Sequence, residues 1–264
     1  MPSESENSLA TAPGSAGSLL ELKSITVSFG GFLAVNNVNL AFEKKPVYGI
    51  IGPNGAGKTT LFNVLSGFCR PTDGQLLFHG RDITLLAPEG VARRGIVRSF
   101  QITSIFPHLT VVDNVVLSIQ RRQSGGTRLL ARAGWRRSYI GEANELLDQV
   151  RIPSALRDAP ANDLPYGRKR ALELAISLAA RPEILLLDEP TAGMTIPDIA
   201  RTTELISRLS KECMVVVVEH NLGVVSDLAN EIIVMQQGCI LTRGRYEEVR
   251  KDQRVIEAYL GKRQ

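Results

Sequence analysis

Residues 52 to 59 read Gly52-Pro53-Asn54-Gly55-Ala56-Gly57-Lys58-Thr59, which is the pattern GxxxxGK followed by Thr. The three glycines let the backbone curl so that successive N–H groups point inward at a phosphate. The ammonium group of Lys58 adds a positive charge for the outer phosphate oxygens. Thr59 begins a predicted helix whose N-terminus favours an anion, and its hydroxyl is placed to ligate Mg²⁺. The stretch therefore predicts a nucleotide phosphate site.

The residues on either side of this loop indicate a strand before it and a helix after it. Val47 to Ile51 form an apolar run that leads directly into the loop. Residues 59 to 68 carry apolar side chains at the spacing of one helical face, namely Leu61, Val64, Leu65 and Phe68. Upstream, the runs Leu20 to Val27 and Ala34 to Phe42 predict a small β region that feeds a central strand. This order makes an ordinary glycine turn a poor explanation of the loop.

Apolar runs alternate with helical patterns in the second half of the chain. Residues 171 to 180 have one apolar helical face, and Pro182 stops this helix. Ile184 to Leu187 and Met214 to Val218 have the composition of buried strands. The alternation predicts a parallel sheet covered by helices on both faces. Residues 101 to 164 contain no comparable run and are predicted to form a mostly helical insertion.

Charged side chains follow both buried runs. A carboxylate at a strand end is costly unless it meets a cation, and Asp188 is expected to meet the Mg²⁺ held by Thr59. Glu189 is expected to polarise an attacking water. His220 follows the next run and is expected to sense and orient the γ-phosphate. Alone, the two acids fit an ordinary strand end equally well, and an isolated histidine is more often a satisfied core residue. Together with the glycine loop, these residues predict ATP hydrolysis.

Composition limits the class of protein. The 264 residues are 44% hydrophobic and 22% charged, enough for one domain with a buried core. A net charge of +4 is too mild to favour a nucleic-acid binder. The three separated cysteines suggest neither a zinc site nor a disulfide framework. No apolar run approaches the roughly 20 residues that span a bilayer. Residues 1 to 18 are predicted to form a disordered tail. They also lack the pattern of a signal peptide. We expect an intracellular protein that reaches a membrane only through partners.

An arginine-rich stretch runs from Arg121 to Arg137. It holds six arginines and no acid, the arginines being residues 121, 122, 128, 132, 136 and 137. One interpretation is a solvated helical surface, and the other is a contact for a partner or for lipid head groups. The sequence leaves both open.

In this order the motifs resemble those of the ATP-binding subunit of ATP-binding-cassette (ABC) transporters, from about residue 19 to residue 261. Phe29 stands where the family has an aromatic residue that stacks on adenine. Gln101 stands where it has the glutamine that reports the Mg²⁺ and γ-phosphate state. Leu164-Pro165-Tyr166-Gly167-Arg168 occupies the place of the LSGGQ signature, which in the family caps the ATP held by the opposite subunit. The joint order of these motifs carries the resemblance.

Further stretches resemble the branched-chain amino acid uptake branch, and within it the subunit with the longer insertion. They include Gly95 to Gln101, the Tyr166-Gly167 form of the signature, Ala192 to Met194, and the ending Val255 to Gly261. Relatives in that branch carry urea, amides or aromatic acids. The resemblance therefore specifies the type of transporter more closely than the solute that it carries.

The resemblance implies an α/β fold: a P-loop NTPase (RecA-like) core with an N-terminal antiparallel β subdomain near residues 19 to 50 and an inserted α-helical subdomain near residues 102 to 170. Residues 19 to 264 would form a single ABC nucleotide-binding domain. The implied cofactors are ATP and Mg²⁺, with Thr59, Gln101 and Asp188 at the metal. The implied ATP-binding residues are Phe29, Gly52, Pro53, Asn54, Gly55, Ala56, Gly57, Lys58, Thr59, Thr60 and Gln101, with Pro165, Tyr166, Gly167 and Arg168 acting in trans. The implied catalytic residues are Glu189, His220, Gln101 and Lys58.

The family's mechanism implies partners. Two ATP-binding subunits, alike or unlike, would sandwich two Mg-ATP, and their helical subdomains would grip two membrane-spanning permease subunits. The chain would then lie at the cytoplasmic face of the inner membrane. An extracytoplasmic solute-binding protein would be an indirect partner, and no nucleic acid is implied.

Two positions depart from the family pattern. Pro165 lacks the serine hydroxyl and the backbone N–H that signatures usually offer to the opposing γ-phosphate. We hypothesise that Arg168 partly replaces these donors, although a solvated basic cluster fits Arg168, Lys169 and Arg170 equally. Thr195 stands where many relatives carry an aspartate that bridges the subunits, so communication between the two ATP sites is expected to differ.

Three rival functions are compatible with the same motifs. The first is a soluble ABC ATPase acting on nucleic acid or ribosomes, although such proteins usually carry two cassettes or a long coiled-coil insertion. The second is the ATPase subunit of an exporter. The third is a subunit that binds ATP as a switch with little hydrolysis.

Overall fold

A computed structural model describes residues 17–99, 105–124 and 135–260. Its first layer is a four-stranded antiparallel sheet in the order β2-β1-β4-β5. The strands are β1 (Leu20–Phe29), β2 (Phe32–Phe42), β4 (Asp73–Phe78) and β5 (Arg81–Asp82). The predicted extent of this layer, residues 19 to 50, is wrong at its end, because β4 and β5 come from beyond residue 70. Their polar start and short length leave no apolar run that would mark them.

The second layer is a six-stranded sheet in the order β10-β9-β3-β8-β7-β6. Its strands are β3 (Val47–Ile51), β6 (Ile96–Ser99), β7 (Ile184–Asp188), β8 (Met214–Val218), β9 (Glu231–Gln236) and β10 (Cys239–Gly244). The predicted parallel pairing holds for five strands, whereas β10 runs antiparallel to β9. Gln237 and Gly238 both have positive φ, the conformation of a tight two-residue hairpin, which reverses the chain at this edge.

Nine α-helices and two 3₁₀ helices, Ser154–Leu156 and Ala161–Asp163, complete the described part of the chain. The α-helices are α1 (Lys58–Leu65), α2 (Pro88–Arg93), α3 (Val111–Ser124), α4 (Trp135–Gln149), α5 (Tyr166–Leu178), α6 (Ile196–Leu209), α7 (Leu222–Leu228), α8 (Tyr246–Val249) and α9 (Gln253–Leu260). Helix α1 ends before the predicted residue 68 because Gly67 takes a left-handed conformation. Helix α5 begins earlier than the predicted residue 171, directly after Pro165, whose φ of −57° suits the approach to a helix.

Two large apolar clusters hold the layers together. One lies between the antiparallel sheet, α1 and one face of the second sheet. The other joins the opposite face of that sheet to α3, α4, α5 and α6. A smaller cluster packs β9, α8 and α9 against Ile51 at the end of β3. The predicted α/β class, with helices on both faces of the second sheet, is thereby confirmed.

Several predictions fall on residues outside these ranges. They concern Gln101, most of the tail at residues 1 to 18, and residues 125–134 of the arginine-rich stretch. Within the stretch, Arg122 donates to both carboxylate oxygens of Glu142 and to the carbonyl oxygen of Ala179. No helix among the described residues is both long and apolar enough to cross a membrane.

Candidate active site

The candidate site lies where three parallel strands end. Strand β3 leads into the loop of residues 52–57, β7 ends in Asp188, and β8 is followed by Glu219 and His220. These strands are neighbours in the order β3-β8-β7, so their carboxyl ends meet at one edge of the sheet. Ligands of open α/β sheets bind at this edge.

Two glycines of the phosphate loop are required by its geometry. Gly52 has φ of 153°, and a Cβ there would collide with the carbonyl oxygen of Met235. Gly57 has φ of 97°, and a Cβ there would collide with the carbonyl oxygen of Ala34. The loop therefore curls tightly against β2 and β9, with Gly57 capping the N-terminus of α1. This close packing is the cradle that the sequence pattern predicts.

Lys58 points back into the loop. Its Nζ donates to the carbonyl oxygens of Gly52, at 2.7 Å, and Pro53, at 3.0 Å. Burial lowers the pKa of the Lys58 ammonium, while the nearby charges of Glu189 and Asp188 act in the opposite direction. A phosphate in the loop would supply the negative charge that this buried cation lacks at short range.

Asp188 is held by a buried arginine. Its Oδ2 accepts a hydrogen bond from Nη2 of Arg98 at 2.7 Å, and both side chains are 6% exposed. Nη1 of Arg98 also donates to Asn63 and Ser66 of α1 and the turn after it. The guanidinium lies over the ring of Phe62, 5.1 Å from its centroid. Strand β6, helix α1 and strand β7 are thus joined through one side chain.

Glu189 and His220 form a pair at the mouth of the site. Nε2 of His220 lies 2.9 Å from Oε1 of Glu189, and both side chains are nearly half exposed, so water can reach them. Glu189 has φ of 48°, an uncommon conformation for a residue with a side chain. The structure therefore brings together the predicted acid, the predicted histidine and Lys58, as their sequence positions predict.

The residues present fit a magnesium ion. Among the described residues no group of three or more His, Cys, Asp or Glu side chains converges on one point. Mg²⁺ needs no such cage, since it keeps several waters and binds through one or two protein oxygens and substrate phosphates. Thr59, in the first turn of α1, and Asp188 supply oxygens of this kind. Magnesium would neutralise charge on the phosphates when bound.

The predicted signature residues lie at the start of α5. Pro165 is the N-cap, and the Tyr166 hydroxyl donates to the carbonyl oxygen of Ala192 at 3.1 Å. The carboxylate of Asp198 lies against Gly167, at the positive end of the helix. Nη1 of Arg168 donates to the carbonyl oxygen of Arg151 at 2.5 Å. This end of α5 is therefore hydrogen-bonded to the loop after Glu189 and packs against the start of α6.

Phe29 ends β1 and is 56% exposed. The strand after it, β2, flanks the phosphate loop, since Gly57 packs against the carbonyl oxygen of Ala34. Phe29 is thus an exposed aromatic side chain at the turn of the β1–β2 hairpin, whose second strand contacts the loop.

Residues 35–192 match the family model described as "ABC transporter". That match covers more than half of the chain. The chain belongs to the ABC transporter family. A second model, described as "Branched-chain amino acid ATP-binding cassette transporter", matches residues 239–263, which include β10, α8 and α9. The resemblance drawn from the sequence is confirmed.

Curated ABC proteins match over nearly their full length. The chain is 38% identical over 250 residues to the high-affinity branched-chain amino acid transport ATP-binding protein BraF of Pseudomonas aeruginosa, covering 92% of this chain and 98% of that protein. It is 36% identical over 249 residues to the high-affinity branched-chain amino acid transport ATP-binding protein LivG of Escherichia coli, covering 92% of this chain and 98% of that protein. The chain is an ATPase subunit whose activity is coupled to transport.

Solved ABC cassettes share the fold. A nucleotide-free ATP-binding cassette from an ABC transporter superposes with a TM-score of 0.80 at 28% identity, covering 92% of this chain and 99% of that one. The ADP conformation of the cassette MJ1267 gives the same TM-score, identity and coverage. A dimeric post-hydrolysis cassette, MJ0796 bound to ADP and Pi, gives 0.72 at 25% identity, covering 86% and 98%. The expected fold class is confirmed.

Three residues of this ABC site were missed by sequence reasoning. Arg98 lies within the stretch Gly95 to Gln101, and Glu219 directly precedes His220, but no role was predicted for either residue. A charged residue in an otherwise buried strand and an acid at the end of an apolar run are the signals that mark them. The third is Tyr259 of α9, whose hydroxyl accepts a hydrogen bond from the Gly52 backbone; burial raises the pKa of this phenol, and that hydrogen bond opposes the rise.

Proposed function

We propose that this chain is the ATP-hydrolysing subunit of an ABC importer for branched-chain amino acids or a related small polar solute. The solute class is supported by the match of residues 239–263 to the branched-chain family model, and by the similarity to BraF and LivG, which are branched-chain amino acid transport proteins. An exporter subunit and a soluble ABC ATPase share the core motifs, but neither is named among these two relatives.

ATP would bind with its phosphates in the loop from Gly52 to Thr59 and Thr60. The geometry of Gly52 and Gly57 and the buried ammonium of Lys58 support this role. Phe29 would stack on adenine, since its ring is exposed beside the loop. Thr59 and Asp188 would hold Mg²⁺, and Gln101, which follows Arg98 by three residues, would complete the metal site.

Hydrolysis would depend on Glu189 as the base that takes a proton from the attacking water. Oε1 of Glu189 is the atom that would accept this proton, and Nε2 of His220, 2.9 Å away, would orient both the carboxylate and the phosphate. Lys58 would stabilise charge that develops on the γ-phosphate. These side chains approach from different strand ends, so they are pre-positioned before ATP arrives.

A second ATP-binding subunit would complete each site. Pro165, Tyr166, Gly167 and Arg168 would face the γ-phosphate held by that subunit, with the N-terminus of α5 directed at the anion. Arg168 would leave the Arg151 carbonyl to replace the donors that Pro165 lacks. An unlike partner with a fuller signature would make the two sites unequal.

The subunit would work at the cytoplasmic face of the inner membrane, bound to two membrane-spanning permease subunits. Closing of the two-subunit sandwich would move the helical region of residues 102 to 170 and drive alternating access in the permease. An extracytoplasmic solute-binding protein would deliver the solute. No described feature of this chain is expected to touch the cargo.

Isolation of the intact complex from membranes, through a tag on this chain, tests the proposal. We expect two membrane-spanning subunits, a second ATP-binding subunit and a solute-binding protein, with leucine-loaded binding protein stimulating ATP turnover. A complex with Lys58→Ala should retain these companions and show no stimulation. Recovery with nucleic acid or ribosomes, or export of solute by the reconstituted complex, would contradict it.

A further inference from the structure

Glu219 is a buried acid in the candidate site to which neither the family matches nor the proposed mechanism gives a role. It follows β8 and is 3% exposed. Its Oε1 accepts hydrogen bonds from the backbone N–H of Thr191 at 3.0 Å and from its hydroxyl at 2.5 Å. Its Oε2 accepts from the backbone N–H groups of His220 at 3.1 Å and Asn221 at 3.3 Å. Both oxygens are therefore used, each by a different loop.

The two loops are those that carry the Glu189–His220 pair. Thr191 lies two residues after Glu189, and His220 follows Glu219 directly. One carboxylate therefore ties the chain after β7 to the chain after β8. The side chains that meet across this junction are Nε2 of His220 and Oε1 of Glu189, 2.9 Å apart.

The backbone conformation of Glu189 explains why this link between the two loops matters. A non-glycine residue with a φ of 48° costs free energy and persists where the surroundings fix it. On one side Glu189 N donates to the carbonyl oxygen of Val218 at 2.8 Å. On the other side Thr191 is held twice by Glu219. The left-handed residue is thus clamped between two attachments to the end of β8.

We propose that Glu219 is a positioning residue for ATP hydrolysis: its carboxylate bridges the loops of Glu189 and His220 and fixes the distance between them. The inference rests on the proposed roles of those two residues. A carboxylate suits this task because it accepts on both oxygens, whereas an amide would present an N–H₂ group to one set of donors. Glu219→Gln keeps the size of the side chain and removes one acceptor.

The experiment compares four variants of the full chain in the assembled complex. Glu219→Gln should lower kcat by about tenfold or more, the scale of a mispositioned base, with ATP affinity changed less than about threefold. Thr191→Val should also lower kcat. Thr191→Ser, which keeps the hydroxyl, should have the wild-type kcat. Glu231→Gln is the matched control, because Glu231 is also buried but lies at the start of β9, at the opposite edge of the sheet. It should leave kcat at the wild-type value.

A second readout does not depend on turnover. The chain has three histidines, so a histidine-labelled sample gives a simple NMR spectrum, assigned with a His220→Ala variant. Glu219→Gln should shift the His220 ring signals and leave those of His79 and His108 in place. Glu231→Gln should shift none of the His220 signals.

The outcomes separate this inference from the proposed function. The role of Glu219 alone would be overturned if Glu219→Gln kept the wild-type kcat and an unshifted His220 signal while Glu189→Gln was inactive. Normal hydrolysis by Glu189→Gln would overturn the proposed base itself. Equal loss of kcat in Glu219→Gln and Glu231→Gln, in proportion to lost folded protein, would reduce Glu219 to a structural residue and also overturn the inference.

Discussion

Nη2 of Arg98 donates to Oδ2 of Asp188 at 2.7 Å, and both groups are almost fully buried. Burial lowers the pKa of Arg98, while the hydrogen bond and charge of Asp188 act in the opposite direction. A buried charge without its partner is costly, so each residue depends on the other. Asp188, the expected magnesium ligand, is therefore held in place by a side chain of β6, the strand that precedes Gln101 in the sequence.

Arg98→Gln should destabilise the protein by about 3 kcal/mol or more, because it leaves the Asp188 carboxylate buried without a cation. Arg98→Lys should cost less, since it keeps the charge but loses the planar contacts with Asn63 and Ser66. Denaturant unfolding measures both. Arg250→Gln is the control, because its pair with Glu247 is exposed and should contribute less than about 1 kcal/mol. Equal losses in Arg98→Gln and Arg250→Gln would contradict the importance of the buried pair.

Gly57→Ala should abolish nucleotide binding and lower the free energy of unfolding by about 1–3 kcal/mol, because a Cβ meets the Ala34 carbonyl at a left-handed φ. Gly141→Ala is the comparison, since Gly141 lies in α4 with open space around it. Alanine there should be neutral or stabilising by up to about 1 kcal/mol. Equilibrium binding of a fluorescent ATP analogue and thermal unfolding test both variants. Normal binding by Gly57→Ala would show that the loop tolerates a side chain at this point.

Much of the fold follows from local sequence signals, whereas contacts between distant residues do not. Strands β3, β7 and β8 are predictable because each is a continuous apolar run with buried faces on both sides. Strand β4 begins with polar residues and could not be recognised in that way. The phosphate loop and the acids Asp188 and Glu189 could be predicted because each motif consists of a few residues that are consecutive in the sequence. Arg98 and Asp188 are 90 positions apart, and only the pairing of β6 with β7 brings them together.

Tyr166→Phe should leave folding intact and lower turnover of the two-subunit complex by about two- to tenfold, the scale of one lost hydrogen bond. The hydroxyl joins the signature to Ala192, three residues after Glu189, and accepts from Arg170. Its loss should also weaken cooperativity between the two ATP sites. Tyr139→Phe, at a tyrosine that packs against the second core cluster, is the control. An unchanged Hill coefficient and turnover in Tyr166→Phe would exclude this link.

Cys213 should resist alkylation in the folded protein. Burial, and secondarily the charge of Glu212, raise the pKa of its thiol to about 11. Because the reactive thiolate stays scarce below that pH, the alkylation rate should remain low from pH 7 to 9 and rise on unfolding. Cys239, which is exposed, should react first. Mass spectrometry after iodoacetamide treatment measures the order, and equal rates at both sites in native protein would contradict the burial of Cys213.

The most direct measurement is ATP turnover by the purified complex with Glu189→Gln, alongside ATP binding by the same sample. Glutamine keeps the size of the side chain but cannot take the proton, so turnover should fall by about a hundredfold or more while ATP binding stays at the wild-type value. His220→Ala, which removes the partner 2.9 Å from Glu189, should also lose turnover and still bind ATP. Wild-type hydrolysis by Glu189→Gln would contradict the site proposed at the ends of β3, β7 and β8.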